Sequence, residues 1–333
     1  MEKIAVNRTN KKVGTLTTQK LVAVIAMVAI YLFFCVMSGS FRTLNTLVSI
    51  FDSSYYIGFI AIGVTFVIIT GGIDLSIGTV LVCSSIIGGV LYENGCPLWL
   101  TLIVIIGIGA LFGLINGLMI SVLKLPAFIA TLGTMMVSNG LGSIISKTRS
   151  ITFPLRASED GWYKSIFRTG PLSWLESGFP TGIILLVLAM VVMAIFLKKT
   201  KPGRYILALG SNKEATRLSG VNVVKWETLA YVISGTFAGI AGIAYAATMT
   251  TVMPGSGQGF ELDAIAGVVI GGTSLAGGVG SVTGTIIGVF IMSILKTGLP
   301  FIDLQPHYQK FITGIVLIIA VYIDIRNRNK KHV

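Results

Sequence analysis

The 333-residue chain is 53% hydrophobic and only 11% charged, with a mean hydropathy of +0.87; soluble domains carry roughly 25% charged residues, so the composition points to a membrane protein. Lysine and arginine outnumber aspartate and glutamate 25 to 13, but they lie between apolar runs and form no clustered basic face, so nucleic acid is not an expected partner. Cys35, Cys83 and Cys96 are scattered, which gives neither a disulfide framework nor a metal spacing.

Residues 1–20 carry Lys3, Arg8, Lys11, Lys12 and Lys20 and read as a polar cytoplasmic tail. Leu21–Met37 reads as an uncleaved first span, because no clean small-x-small cleavage site follows it. Apolar stretches then recur at about 46–70, 77–92, 98–122, 126–146, 180–197, 226–248, 261–275, 281–297 and 308–325. The expected fold is therefore an all-α polytopic membrane protein of about ten transmembrane helices. Residues 21–325 form one transmembrane domain, and 326–333 a second cytoplasmic tail. Several stretches fall near or below the roughly 20 residues that cross a bilayer, so tilted or broken spans are expected. Only G-G-I-D-L-S-I separates the second stretch from the third, and only G-G-V-G-S separates 261–275 from 281–297.

Charge gives the orientation. With an even number of spans, residues 1–20, Lys124, the segment 198–225 and the C-terminal tail share one side, and they hold 17 of the 25 cations. Loops rich in lysine and arginine stay in the cytoplasm, so this side is the inner one. The long loop 147–179 lies outside, with Glu159, Asp160 and Glu176 offsetting its cations. Its Trp162, Tyr163, Phe167 and Trp174 read as interfacial aromatics.

Glycines recur at helical spacing in Gly109-x-x-x-Gly113-x-x-x-Gly117, Gly235-x-x-x-Gly239 and Gly280-x-x-x-Gly284-x-x-x-Gly288. Such bare faces let membrane helices approach closely. Two glycine-rich segments, I-I-T-G-G-I-D-L-S-I-G at 68–78 and V-I-G-G-T-S-L-A-G-G-V-G at 269–280, resemble each other as the trace of an internal repeat. Each reads as a break that restarts a helix, with Asp74 or Thr273 as cap. Asp74, followed by Ser76, is the carboxylate deepest in apolar sequence; it reads first as an N-cap for a helix starting near Leu75 and second as a solute contact. Glu261 and Asp263 read as first-turn acids that suit a helix dipole. Asn116 and Asn139 are placed to bond either a neighbouring helix or a polar solute. These six residues are the candidates for a substrate pathway.

The segment from Lys198 to Trp226 is a polar, basic island. Within it S-N-K-E reads as a capping box, Ser211 being the N-cap and Glu214 the residue three places on. Glu214 and Arg217 suit the dipole and can pair at i,i+3, and Gly220 supplies the stop. About two turns of helix are expected. The chain has no G-x-x-x-x-G-K-[ST], and its glycine-rich segments lack the lysine a nucleotide-binding loop requires. His307 and His332 have no metal or catalytic companions, and no nucleophile–base set stands out, so no catalytic residue, metal site or bound cofactor is expected.

Four stretches, G-G-I-D-L-S-I-G (71–78), P-A-F-I-A-T-L-G-T-M (126–135), G-R-Y-I-L-A-L-G-S-N-K-E-A-T-R-L-S-G-V-N-V (203–223) and E-L-D-A-I-A-G-V-V-I-G-G-T-S-L-A-G-G-V-G-S (261–281), stand in the order and spacing of a known family. The chain resembles the permease subunits of bacterial ATP-binding-cassette importers for monosaccharides, of the ribose-permease type within the branched-chain amino acid and sugar permease group. That resemblance implies a multi-pass protein of the bacterial cytoplasmic membrane with both termini in the cytoplasm. It implies a second permease subunit, an extracytoplasmic sugar-binding protein, and a cytoplasmic ATPase that holds the ATP and magnesium. It further implies that Ser211, Asn212, Lys213, Glu214, Ala215, Arg217, Leu218, Ser219 and Gly220 form the coupling helix that seats in the ATPase. The competing reading is an ion-coupled secondary transporter, for which Asp52 and Asp74 would have to supply the ionisable relay.

Overall fold

A computed structural model of the chain describes residues 2–172, 175 and 178–329. Each of the ten apolar stretches coincides with a helix: α1 (Glu2–Met37), α2 (Leu44–Ile69), α3 (Ile77–Glu93), α4 (Leu98–Ser121), α5 (Ala127–Ile145), α7 (Gly182–Lys199), α10 (Val223–Met249), α11 (Phe260–Ile270), α12 (Val282–Gly298) and α13 (Pro306–Asn329). Three further helices, α6 (Trp162–Ser165), α8 (Lys201–Ser211) and α9 (Lys213–Leu218), lie in the connections. Sheet among the described residues is limited to β1 (Ile151–Thr152) and β2 (Thr251–Val252), paired antiparallel with Ile151 opposite Val252. The all-α polytopic membrane fold is thus borne out.

Among the described residues, seven helices are long and apolar enough to cross a bilayer. The exceptions carry the interest. With 11 residues, α11 extends about 16 Å at roughly 1.5 Å per residue, about half of a ~30 Å hydrocarbon core. The N-terminal residues expected as a polar tail are already helical from Glu2 and run without a break into the first span.

Burial ranks the helices. In its most apolar window α2 is 89% buried and α10 72%, whereas α7 is 17% and the apolar part of α1 11%. Thus α2 and α10 form the core, and α1, α4, α5 and α7 turn apolar side chains such as Leu32, Ile103, Val137 and Leu188 outward. A continuous apolar exterior of this kind fits hydrocarbon and not water.

The glycine faces meet one another. A Cβ on Gly109 would overlap the Gly235 carbonyl, and one on Gly113 the Tyr231 carbonyl, so α4 and α10 touch backbone to backbone. Gly284 and Gly288 of α12 stand against the carbonyls of Gly271 and Gly267 in the same way. Close backbone approach is what small residues contribute to membrane helix packing, where no hydrophobic drive separates helix from lipid.

The two ends of the bundle are distinct. One end carries the 147–179 segment, tied down by Arg149–Glu93 (2.6 Å), Arg168–Asp52 (2.9 Å) and the β1–β2 pair. The opposite end carries the glycine breaks and the 198–225 island, in keeping with the charge pattern. The 147–179 segment corrects one expectation: Tyr163 and Phe167 are buried, packing on Phe153 and Tyr55, and are not interfacial aromatics. Trp162 is half exposed; Trp174, Glu176 and His332 lie outside the described residues.

Candidate functional site

The basic island folds as two helices. Thr200 caps α8 by accepting from the Gly203 amide (3.3 Å), Pro202 sits in the first turn, and Gly203, Ile206 and Leu209 line its buried face. The chain then turns through an extended Asn212 into α9. Here the expected capping box is corrected. Ser211 is the last residue of α8, and it is the Asn212 side chain that caps α9, accepting from the Ala215 amide at 2.9 Å. A preceding helix that runs up to residue 211 leaves Ser211 without the extended backbone that an N-cap needs, so the cap falls one residue later. The expected pair forms: Arg217 donates to Glu214 at 2.7 Å. Gly220 follows the end of the helix with φ +79°, the left-handed turn that glycine accepts without strain.

Two contacts pin α9 and α8 to α10. Lys213 Nζ donates to both carboxylate oxygens of the largely buried Glu227, at 2.6 and 2.8 Å. The rings of Tyr205 and Trp226 pack at a tilt of 41° with centroids 5.2 Å apart. Of the expected coupling residues, Ser211, Asn212, Lys213, Glu214, Ala215, Arg217, Leu218, Ser219 and Gly220 are all exposed, and Leu218 is 78% so. The segment is anchored at its base and bare at its tip.

The end of α8 reaches the core through glycine. Gly210 is pressed between the Ile69 carbonyl, at the end of α2, and the Gly278 amide, in the α11–α12 connection; a Cβ there would overlap both. Gly278 itself donates to the Ile69 carbonyl at 2.8 Å. Both members of the proposed repeat therefore meet the α8–α9 corner at one point. Thr273 does not cap the helix after its break, as expected from the sequence; it accepts from the Ser281 amide (3.2 Å), and Ser281 caps α12. The break is longer than the sequence pattern suggests, which moves the restart to Val282.

Beyond the first break the chain turns back into the bundle. Asp74 is 1% exposed. Its Oδ1 accepts from the amide (3.0 Å) and hydroxyl (2.7 Å) of Ser76, and its Oδ2 from the hydroxyl of Ser234 on α10 (2.8 Å). The side chain thus closes a local turn and bridges to a neighbouring helix, while α3 begins at Ile77 and not near Leu75. Asn116 of α4 donates to Ser76 Oγ (2.9 Å) and accepts from Thr134 of α5 (2.5 Å). Ser138 of α5 donates to Thr79 of α3 (2.7 Å). One buried network of uncharged donors and acceptors around a single carboxylate therefore links α3, α4, α5 and α10.

The start of α11 meets the start of α3 beside this network. A Cβ on Gly78 would overlap the Gly257 carbonyl and stand 2.6 Å from Glu261 Oε2. Glu261 accepts from the Gly259 amide (3.0 and 3.1 Å), so its carboxylate lies at two helix N-termini, where partial positive charge favours it. Between α3, α5 and the 254–257 loop lies a seam lined by Thr79, Ser138, Asn139 and Gly255. Asp74, Ser76, Asn116, Asn139 and Glu261 thus gather around the facing ends of two short helices. Asp263 does not, because Lys296 engages it at 3.1 Å. Sequence reasoning missed Ser234, Thr134 and Gly210, whose roles depend on which helix lies opposite. It also missed Tyr231, whose buried hydroxyl stands against Gly72 with no hydrogen-bond partner among the described residues.

Comparison with known proteins bears on this geometry directly. Residues 46–321 match the family described as branched-chain amino acid transport system, permease component. The chain is 34% identical to a ribose import permease protein of Escherichia coli, with 96% of each chain covered. It is 32% identical to a fructose import permease protein of Bifidobacterium longum, covering 94% of this chain and 93% of the relative. With a xylose transport system permease protein of Escherichia coli it shares 32% identity, covering 95% and 94%. No solved structure matches the chain.

Proposed function

This chain belongs to the permease-component family of branched-chain amino acid transport systems, and we propose that it is the membrane subunit of an ATP-driven importer of a monosaccharide. The observation that carries the proposal is likeness along almost the whole chain to permeases that import ribose and fructose and transport xylose. The chemistry of the buried network agrees: hydroxyls, carboxamides and helix N-termini suit a hydroxyl-rich, uncharged solute, which needs hydrogen bonds and no fixed countercharge.

In this reading the chain carries no ATP or magnesium; a cytoplasmic ATPase subunit holds both and docks on the exposed tip of α9. A second permease subunit completes the pathway, and an extracytoplasmic binding protein delivers the sugar. The protein is multi-pass and resides in the bacterial inner membrane with both termini in the cytoplasm; residues 21–325 act as one transmembrane domain. When the ATPase closes, α9 moves with it, and the contact of Gly210 with Ile69 and Gly278 passes that motion to both breaks. The facing starts of α3 and α11 then part and close, which is alternating access by sliding of packed helices.

An ion-coupled transporter needs a chain of free ionisable groups through the bundle. Asp52 is paired with Arg168, Asp263 with Lys296, Asp74 is bound by hydroxyls and Glu261 by a backbone amide. The two mechanisms separate in cells expressing the chain with its partner subunits. Sugar uptake is expected to survive a protonophore and to stop when ATP is depleted. Uptake that follows the proton gradient and ignores ATP would refute the proposal.

A further inference from the structure

The first break faces a hydroxyl that no described residue holds. Tyr231 of α10 is completely buried, and its Oη makes no hydrogen bond among the described residues. It lies against Gly72, where a Cβ on that residue would overlap it. A buried hydroxyl without a partner forfeits its hydration and gains nothing in return. Phenylalanine would fill the same space without that cost, so the packing of this conformation does not account for a tyrosine.

Its neighbours along α10 do. One turn towards α9 stands Glu227, which holds Lys213. Three residues the other way, on the same face of the helix, Ser234 donates to Asp74 Oδ2 at 2.8 Å. Thus α10 offers the break two hydroxyl donors, about 4.5 Å apart along its axis at roughly 1.5 Å per residue; one is engaged and the other is not. The acceptor has room for both. Asp74 Oδ1 accepts from the amide and hydroxyl of Ser76, whereas among the described residues Oδ2 accepts from Ser234 alone, and a carboxylate oxygen can take two donors. Between the end of α2 at Ile69 and the start of α3 at Ile77 the chain forms no helix, and Gly71 turns it at φ +84°. This stretch can therefore shift along α10 while both helices stay wound.

We infer that Asp74 has two positions on α10, on Ser234 as seen here and on the Tyr231 hydroxyl in the other conformation of the transport cycle, which makes Tyr231 a positioning residue for the first break. The inference rests on the proposed function, since alternating access is what requires a second conformation. The step from Ser234 to Tyr231 is shorter than one helical turn, within the range by which packed elements slide past one another. It runs towards the end of α10 that carries Glu227 and, through Lys213, α9.

A double-mutant cycle on the purified chain in detergent, read as melting temperature, tests the exchange. Tyr231→Phe alone is expected to leave the melting temperature unchanged or slightly raised, because the hydroxyl has no bond to lose. Ser234→Ala is expected to lower it modestly, since Asp74 can turn to Tyr231. The double variant leaves Oδ2 with neither hydroxyl, and its melting temperature is expected to fall about 2–4 °C beyond the sum of the two single effects. Additive effects would overturn the inference, as would a clear fall for Tyr231→Phe alone. In the intact importer, Tyr231→Phe is expected to cut ATP-driven uptake about tenfold with ATPase co-purification unchanged, because a bond lost from one conformation shifts the balance between the two; if Ser234→Ala does not fold, this measurement carries the test. Full uptake by the Tyr231→Phe importer would remove the second position and leave the function standing. Absent uptake of any monosaccharide by the wild type, with the cycle still non-additive, would remove the function and leave the two positions of Asp74.

Discussion

Gly210→Val is expected to reduce sugar uptake by at least about tenfold while the permease still inserts and still binds its ATPase. A valine there places atoms where the Ile69 carbonyl and the Gly278 amide now lie, and their own hydrogen bond of 2.8 Å has no room to persist. Overpacking of this kind typically costs ~1–3 kcal/mol. Here the strain falls on the contact at which the α8–α9 corner meets both breaks, so transport suffers more than assembly. The measurement is uptake alongside ATPase co-purification; normal uptake in the variant would show that the motion takes another route.

Asp74→Leu is expected to be the more damaging change to the fold. It leaves the Ser76 amide, the Ser76 hydroxyl and the Ser234 hydroxyl without their acceptor inside the bundle. At ~1–3 kcal/mol for each of the three buried groups left unpaired, a loss of about 3–9 kcal/mol follows. Asp74→Asn is expected to cost about 1 kcal/mol, because its carbonyl still accepts from Ser76 and its amide donates to Ser234 Oγ. Thermal unfolding of the two variants in detergent distinguishes them. Equal stability would mean that the network does not hold the break in place, and a stable Asp74→Asn protein that cannot transport would assign Asp74 to the pathway.

Much of this architecture was legible in the sequence because its signals are local. Apolar length marks the helices, and glycine every fourth residue marks faces that do meet in the structure, α4 on α10 and α12 on α11. Gly220 and the Glu214–Arg217 pair behave as their spacing predicts. What failed also had a local cause. Ser211 matches the capping-box pattern, but α8 packs through Ile206 and Leu209 and extends to residue 211, so the cap passes to Asn212. The aromatics of the 147–179 segment look interfacial by composition, whereas Tyr163 and Phe167 pack against Phe153 and Tyr55.

The candidate site was legible only in part. Asp74, Ser76, Asn116, Asn139 and Glu261 announce themselves as polar residues in apolar sequence, and they do converge. Nothing local distinguishes Asp263, whose capture by Lys296 requires α11 and α12 to lie side by side. The partners that complete the network, Ser234 and Thr134, look like any small hydroxyl residue on a membrane helix until the helix opposite is known. The same holds for Gly210, which matters because two other segments arrive at it.

The central claim is that the exposed tip of α9 receives the ATPase that drives this permease. Glu214→Ala combined with Arg217→Ala tests it, because an exposed pair of this kind contributes only ~0.3–0.5 kcal/mol to the fold and its removal leaves Lys213 on Glu227. Affinity purification of the tagged permease with its co-expressed ATPase is the measurement. Recovery of the ATPase is expected to fall several-fold in the double variant, with the permease still inserted at normal levels. Undiminished recovery, together with normal uptake, would contradict the account.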